Sequence, residues 1–285
     1  MTDNVERLKS KDTSSRFLLF IIFLICGLSI FVPQLYMTAD FKTSYRIAIS
    51  LLFLLLTMIL HTNEHFKKYS SIIFAFSILS IVSFLEYLLY LNQSSFYWLS
   101  SSRIDLYVFF KFISTMLVVI PIVLLTKASG QSMLSIYLTK GKLRLGLVIG
   151  AATFLFFLLT SVPASTLLYG GRNLTFGSII FWAPWILVFV FSNGLKEELQ
   201  FRGFFLRKYE SFLGTDLSNF LQTIIFTLPH LGETYSPVLL VFLVIVFLLG
   251  LAFGAVIQKT NSLLGSILFH AGTDIPVILG IFSNL

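Results

Sequence analysis

Long apolar runs alternate with short polar connections along the whole chain. Several windows, among them Phe17 to Val32 with its flanks and Leu145 to Tyr169, reach the ~20 apolar residues that cross ~30 Å of hydrocarbon. The pattern predicts helices near 17–36, 46–61, 70–91, 104–126, 145–169, 177–206, 213–232, 236–257 and 262–283, with eight spans as the alternative count. The expected fold is therefore all-α: a polytopic membrane helical bundle of eight to nine transmembrane helices. The longest polar connection, 126–144, suggests three parts: a tail over 1–16, helices and a basic loop over 17–144, and a core over 145–285. Nearly all the polar chemistry inside the spans falls in that core.

Composition agrees with this class. Of 285 residues 56% are hydrophobic and 12% charged, about half the ~25% charge of soluble domains, and mean hydropathy is +0.90. The net charge of +7 raises nucleic acid as a partner, but the basic residues form no dense run, so nucleic acid is not expected. They fall instead in alternate connections. Lys67, Lys68, Lys127, Lys140, Lys142, Arg144, Arg207, Lys208 and Lys259 fall on one side, against mainly Lys42, Arg46, Arg103 and Arg172 on the other. This is the positive-inside bias, and it predicts a multi-pass protein of a bacterial plasma membrane with its N-terminus cytoplasmic. The first apolar run is too long for a signal-peptide core and lacks an A-x-A-like site, so it reads as an uncleaved span. The single cysteine, Cys26, lies in that span and excludes a disulfide framework or a CxxC motif.

A charge at mid-bilayer costs about 2.5 to 3.5 kcal/mol, so ionisable residues within spans are functional candidates. "SNGLKEELQFRGFF", 192–205, follows an uncharged run and carries Glu197, Glu198 and Arg202. Glu198 and Arg202 are i,i+4 and can pair on one face, while Glu197 is turned away by about 100° and keeps its own environment. "FTLPHL" places Pro229 beside His230, and "LFHAGTDIP" places His270 and Asp274 at i,i+4, so that the aspartate can orient the imidazole or face the same cavity. Counted from the basic ends at 1.5 Å per residue, Glu197 lies roughly 15 Å deep, His270 roughly 16 Å and His230 roughly 22 Å. A carboxylate and two imidazoles at a common depth suit general-base activation of water. The same set, Glu197, His230 and His270, could hold a divalent metal such as zinc. Spacing does not separate the two, and no cofactor is favoured.

These residues resemble a known family. "EELQFR" at 197–202 fits EExxxR, "FTLPH" at 226–230 fits FxxxH, and "HAGTD" at 270–274 fits HxxxN/D, an ordered set similar to that of the CPBP (CAAX-processing and bacteriocin-processing, or Abi) intramembrane proteases. The resemblance covers about 177–285. It implies an intramembrane endopeptidase acting on a membrane-associated protein or peptide. Glu197 and His230 would activate water, His270 and Asp274 would stabilise the oxyanion, and Glu198 and Arg202 would support the site, which would open to the cytoplasmic side or laterally. Position 274 is aspartate where prenyl-protein proteases of the family often have asparagine, and an ionised carboxylate cannot donate to an oxyanion. The resemblance also allows a non-catalytic reading, an immunity protein or a partner of a sensor kinase. A transporter relay is a weaker reading, because no inverted repeat is visible.

Two further features invite a role. "HTNEH", 61–65, matches an inverted zincin pattern, but the end of a span beside two lysines predicts solvated residues. Glu86 and Lys111 lie in adjacent spans and are expected to pair with each other, or Lys111 to snorkel.

Overall fold

A computed structural model describes residues 2–95, 103–232 and 236–285. Of the expected tail, Met1 and the side chains of residues 2–12 lie outside the described residues. The described residues form helices joined by short connections, without strands. In chain order the helices are α1 (Thr2–Phe31), α2 (Ala39–Thr62), α3 (Ser70–Ser95), α4 (Ile104–Ala128), α5 (Leu143–Leu168) and α6 (Phe176–Glu197), then α7 (Phe204–Leu213), α8 (Thr215–Thr227), α9 (Leu239–Thr260) and α10 (Leu264–Phe282). A six-residue π-helical turn, Glu198–Gly203, joins α6 to α7, and a 3₁₀ turn, Leu228–Gly232, follows α8.

Among the described residues eight segments are long and apolar enough to cross a membrane. The chain is an all-helical polytopic bundle. The sixth segment is Phe176–Leu213, longer than expected because α6, the π turn and α7 run on as one rod. The expected helix at 213–232 is absent as a single span. α8 has thirteen residues and stops where Pro229 can no longer donate to the helical ladder. At 1.5 Å per residue α8 rises about 20 Å, and the 3₁₀ turn adds about 2 Å per residue. Contacts along α9 show that the pair runs its depth: Asn219 donates to the Leu251 carbonyl, and His230 packs on Phe242. α8 and the 3₁₀ turn thus form one interrupted helical segment alongside α9, and its break carries His230.

Side-chain contacts also fix the direction of each helix. Arg16 lies by Gly214, Tyr137 donates to Glu210, and Gln258 donates to Glu210 and to the Thr215 carbonyl. The start of α1, the 126–144 loop, the α7–α8 corner and the end of α9 therefore share one end of the bundle, and that end gathers the richer set of lysines and arginines. A continuous apolar cluster joins the N-terminal helices to α7, with Phe23, Phe76, Phe205 and Tyr209 at its centre. α5 and α10 lie side by side in the same direction, in contact through small residues as membrane helices often are. A Cβ on Gly265 would come within 2.6 Å of the Gly146 carbonyl oxygen.

That approach sets the position of α10, and so of His270. Gly265→Val should therefore lower stability by about 1–3 kcal/mol through overpacking, whereas Gly177→Ala, where a Cβ meets only Thr175 Oγ1 at 4.0 Å, should not. Thermal unfolding in detergent, followed by thiol-dye labelling of Cys26, reads both.

Candidate active site

The site is built on four breaks or approaches in the bundle. At the π turn the widened helix keeps Glu198 and Arg202 on one face, and Arg202 Nη1 donates to Glu198 Oε1 at 2.6 Å. Both side chains are fully buried, at 0% exposure. Glu198 Oε1 also meets His270 Nδ1 at 2.7 Å, and Oε2 accepts from Ser266 Oγ at 2.5 Å. A carboxylate only accepts, so the network assigns the hydrogen of His270 to Nδ1 and turns Nε2 to the cavity. The guanidinium edge left over, Nε and Nη2, has no oxygen partner. It lies between aromatic faces, with Cζ 3.8 Å from the Phe226 centroid and 5.1 Å from that of Phe253, a cation–π arrangement worth about 2 kcal/mol when desolvated. Gly250 permits this, since a Cβ there would sit 2.8 Å from Thr223 and 3.3 Å from Arg202 Nη2.

Glu197, one residue earlier, points elsewhere. Its Oε2 is 3.6 Å from His270 Nε2, and Asp274 Oδ1 is 3.7 Å from the same nitrogen. These separations exceed a direct hydrogen bond. The ring of His270 is held flat against Phe253, at 4.8 Å and 10°. His230 arrives from the 3₁₀ turn. Because Pro229 interrupts the ladder, the Phe226 carbonyl is open to the His230 ring, whose Nδ1 lies 3.0 Å away. A carbonyl accepts, so Nδ1 carries the hydrogen and Nε2 is a lone pair available as a base.

The structure thus brings Glu197, His230, His270 and Asp274 to one cavity of about 130 Å³, room for about four waters at ~30 Å³ each, and it sets Glu198 and Arg202 behind it. Asp274 does not take the orienting hydrogen bond of His270 Nδ1; Glu198 takes it, and Asp274 Oδ2 accepts from Asn193 Nδ2 at 2.9 Å. Asn193, Ser266 and Lys111 were not among the expected site residues. The first two carried a signal, each standing four residues before a site residue and hence on its face: Asn193 before Glu197, Ser266 before His270.

Lys111 departs from expectation differently. Glu86 pairs not with it but with Lys196 at 3.1 Å, and accepts from Ser114 at 2.6 Å. Lys111 lines the cavity instead, with its ammonium 5.5 Å from the Phe189 ring centroid. "HTNEH" is exposed, and its Glu64 pairs with Lys67 at 3.3 Å. The cavity extends from Glu197 and His270 toward Tyr107, Tyr169 and Ile281, which stand at the ends of α4, α5 and α10 away from the basic loops. The expected opening on the basic side is filled by Arg202, Phe226 and Phe253. Among the described residues no group of three or more His, Cys, Asp or Glu side chains is arranged to hold a metal ion.

Comparison with known proteins gives one match. Residues 178–276, about a third of the chain, fit the family model described as type II CAAX prenyl endopeptidase Rce1-like. The chain carries an Rce1-like domain. Its boundaries enclose Asn193, both glutamates, Arg202, both histidines and Asp274, in accord with the CPBP intramembrane-protease motifs. No curated protein and no solved structure matches. The apolar helices make the chain an integral multi-pass membrane protein, and the match over residues 178–276 likens that part of it to CAAX-type intramembrane peptidases.

The buried pair makes a stability prediction. Arg202→Met leaves Glu198 charged and without its guanidinium, and should destabilise the protein by about 3–5 kcal/mol. Glu198→Gln combined with Arg202→Met should recover more than half of that loss in detergent thermal unfolding.

Proposed function

We propose that the chain is an intramembrane endopeptidase that hydrolyses a peptide bond of a membrane-associated protein or peptide, with residues 145–285 as its catalytic unit. The observation that carries the reading is the convergence of Glu197, His230 and His270 on one cavity inside the bundle, large enough for water. Glu197 accepts a proton from a water held between it and His230, and the hydroxide formed attacks the scissile carbonyl carbon. The carbon–nitrogen bond then breaks, and the proton passes to the departing amine, giving one new carboxyl and one new amino terminus.

Negative charge on the carbonyl oxygen falls to His270, which donates from Nε2 when its ring is protonated. Asp274 accepts from Asn193, so its part is to position that side of the cavity rather than to donate. Glu198 and Arg202 hold the ring of His270 and keep Glu197 free of a permanent partner. These steps are written with water, Glu197 and the two histidines alone. By the positive-inside rule the lysine- and arginine-rich end faces the cytoplasm of a bacterial cell, so substrate enters this cavity from the opposite side or laterally from lipid.

The experiment is cleavage of a membrane-peptide panel, including a prenylated CAAX peptide, by the purified chain in lipid nanodiscs. Glu197→Gln and His230→Ala should each lower hydrolysis by 10²–10⁴-fold, the range for loss of a general base, at unchanged melting temperature, and a zinc chelator should leave wild-type activity intact. Wild-type rates in either variant would refute the assignment. Loss with chelator and recovery with zinc would refute the metal-free mechanism.

A further inference from the structure

We infer that the gap between the ends of α1 and α3 and the start of α2 binds the phosphate of an anionic phospholipid headgroup, and that this occupant braces the turn carrying His230. The cavity there has a volume of about 440 Å³, within the ~300–1,000 Å³ of small-ligand sites. It shares no lining residue with the cavity that holds Glu197. Lys42 and Arg46 face it from α2, and their i,i+4 spacing puts both on one side of the helix. Among the described residues neither has a carboxylate within ion-pair distance. Arg46 Nη1 donates to the Ser83 carbonyl and, at 2.9 Å, to Ser83 Oγ. Its Nε has no oxygen partner, and its Cζ stands 4.5 Å from the Tyr87 ring centroid. These neighbours are neutral, so they hold the guanidinium without cancelling its charge. Glu86, the one carboxylate on the wall among the described residues, is already engaged by Lys196 at 3.1 Å and by Ser114. Two uncancelled cations within an apolar bundle mark a place where a ligand brings the anion.

Position narrows the ligand. Both cations fall within the first two turns of the membrane-crossing segment Asp40–Thr62, the depth of the headgroup layer that flanks the hydrocarbon core. Only 11% of that segment is buried in the bundle, so α2 stands at its edge and the gap beside it borders lipid. Phe31, Leu35 and Tyr90 give the cavity an apolar wall. That wall offers nothing to a free phosphate and a packing surface to one carried on acyl chains. Guanidinium and ammonium groups together suit a phosphodiester, and basic pockets between membrane helices hold anionic headgroups in this way. A choline headgroup would instead set its own cation against Lys42. The remaining wall is formed by Pro229 and Gly232, on either side of His230 in the 3₁₀ turn, and a Cβ on Gly232 would lie 3.4 Å from Leu35 Cδ2. A headgroup seated on Lys42 and Arg46 therefore packs against the turn and restricts it.

Two measurements on the full-length chain test this, and neither depends on peptidase activity. In the first, native mass spectrometry from detergent titrates phosphatidylglycerol and phosphatidylcholine of equal chain length, with inorganic phosphate as competitor. Wild type should bind phosphatidylglycerol about tenfold more tightly, the worth of one charge-assisted hydrogen bond. Lys42→Arg should keep that preference, Lys42→Gln should lose most of it, and Lys42→Gln with Arg46→Gln should lose all of it. Arg46 also ties α2 to α3 through Ser83, so the double variant could fail to fold; the single Lys42→Gln removes no described side-chain bond and decides the matter alone. Equal binding of the two lipids by wild type, or an undiminished preference in Lys42→Gln, overturns the site. Displacement of phosphatidylglycerol by equimolar inorganic phosphate places a free anion there and overturns the lipid assignment. In the second, backbone hydrogen exchange across 226–232 should slow when phosphatidylglycerol is added to wild type and stay unchanged in Lys42→Gln. Unchanged exchange in lipid-bound wild type overturns the brace.

Discussion

Everything at the centre of this bundle depends on the burial of Glu198 against Arg202. Two charges taken wholly out of water are tolerable only if nearly every oxygen and N–H is answered. Here the carboxylate collects three donors, from Arg202, Ser266 and His270, and the guanidinium edge without an oxygen partner is answered by the π-faces of Phe226 and Phe253. The π turn is the backbone form of this arrangement, and such turns are frequent at functional sites. It interrupts a 38-residue rod at the point where the carboxylate must meet two other helices.

The pair then sets the state of what surrounds it. By accepting from Nδ1 it chooses the tautomer of His270 and aims Nε2 into the cavity. Phe226, which stacks on the guanidinium, also offers its carbonyl to His230. One residue thereby ties the structural charge to the second imidazole. Glu197, adjacent in sequence but on another face, is left as the carboxylate with room for water. The arrangement divides two neighbouring glutamates between scaffold and chemistry.

Much of this was legible in the sequence. The apolar runs marked eight of the crossings, and the ordered motifs marked Glu197, Glu198, Arg202, His230, His270 and Asp274 but not Asn193, Ser266 or Lys111, which the structure adds. Two things were not legible. A thirteen-residue helix closed by Pro229 looks like a full span when only hydropathy is read, because the 3₁₀ turn beyond it is equally apolar. Partner choice was also hidden. Glu86 and Lys111 stand at matching depths on neighbouring helices, yet rotation about those helices gives Glu86 to Lys196 and turns Lys111 inward. Likewise the i,i+4 spacing of His270 and Asp274 allowed either a local orienting bond or a shared cavity; Asp274 faces the cavity, and a partner 72 positions away in sequence makes the orienting bond. Helical phase follows from sequence; the rotation of one helix against another does not.

The chain's basic residues gather at one end while its cavity reaches toward the other. The central claim is that Glu197 delivers a water oxygen to a peptide carbonyl. Mass spectrometry of products formed in H₂¹⁸O tests this most directly. Wild type should place one ¹⁸O in the newly formed carboxyl terminus in a single turnover, with chelator present, and Glu197→Gln should form no labelled product. Labelled product from Glu197→Gln at the wild-type rate would contradict the account.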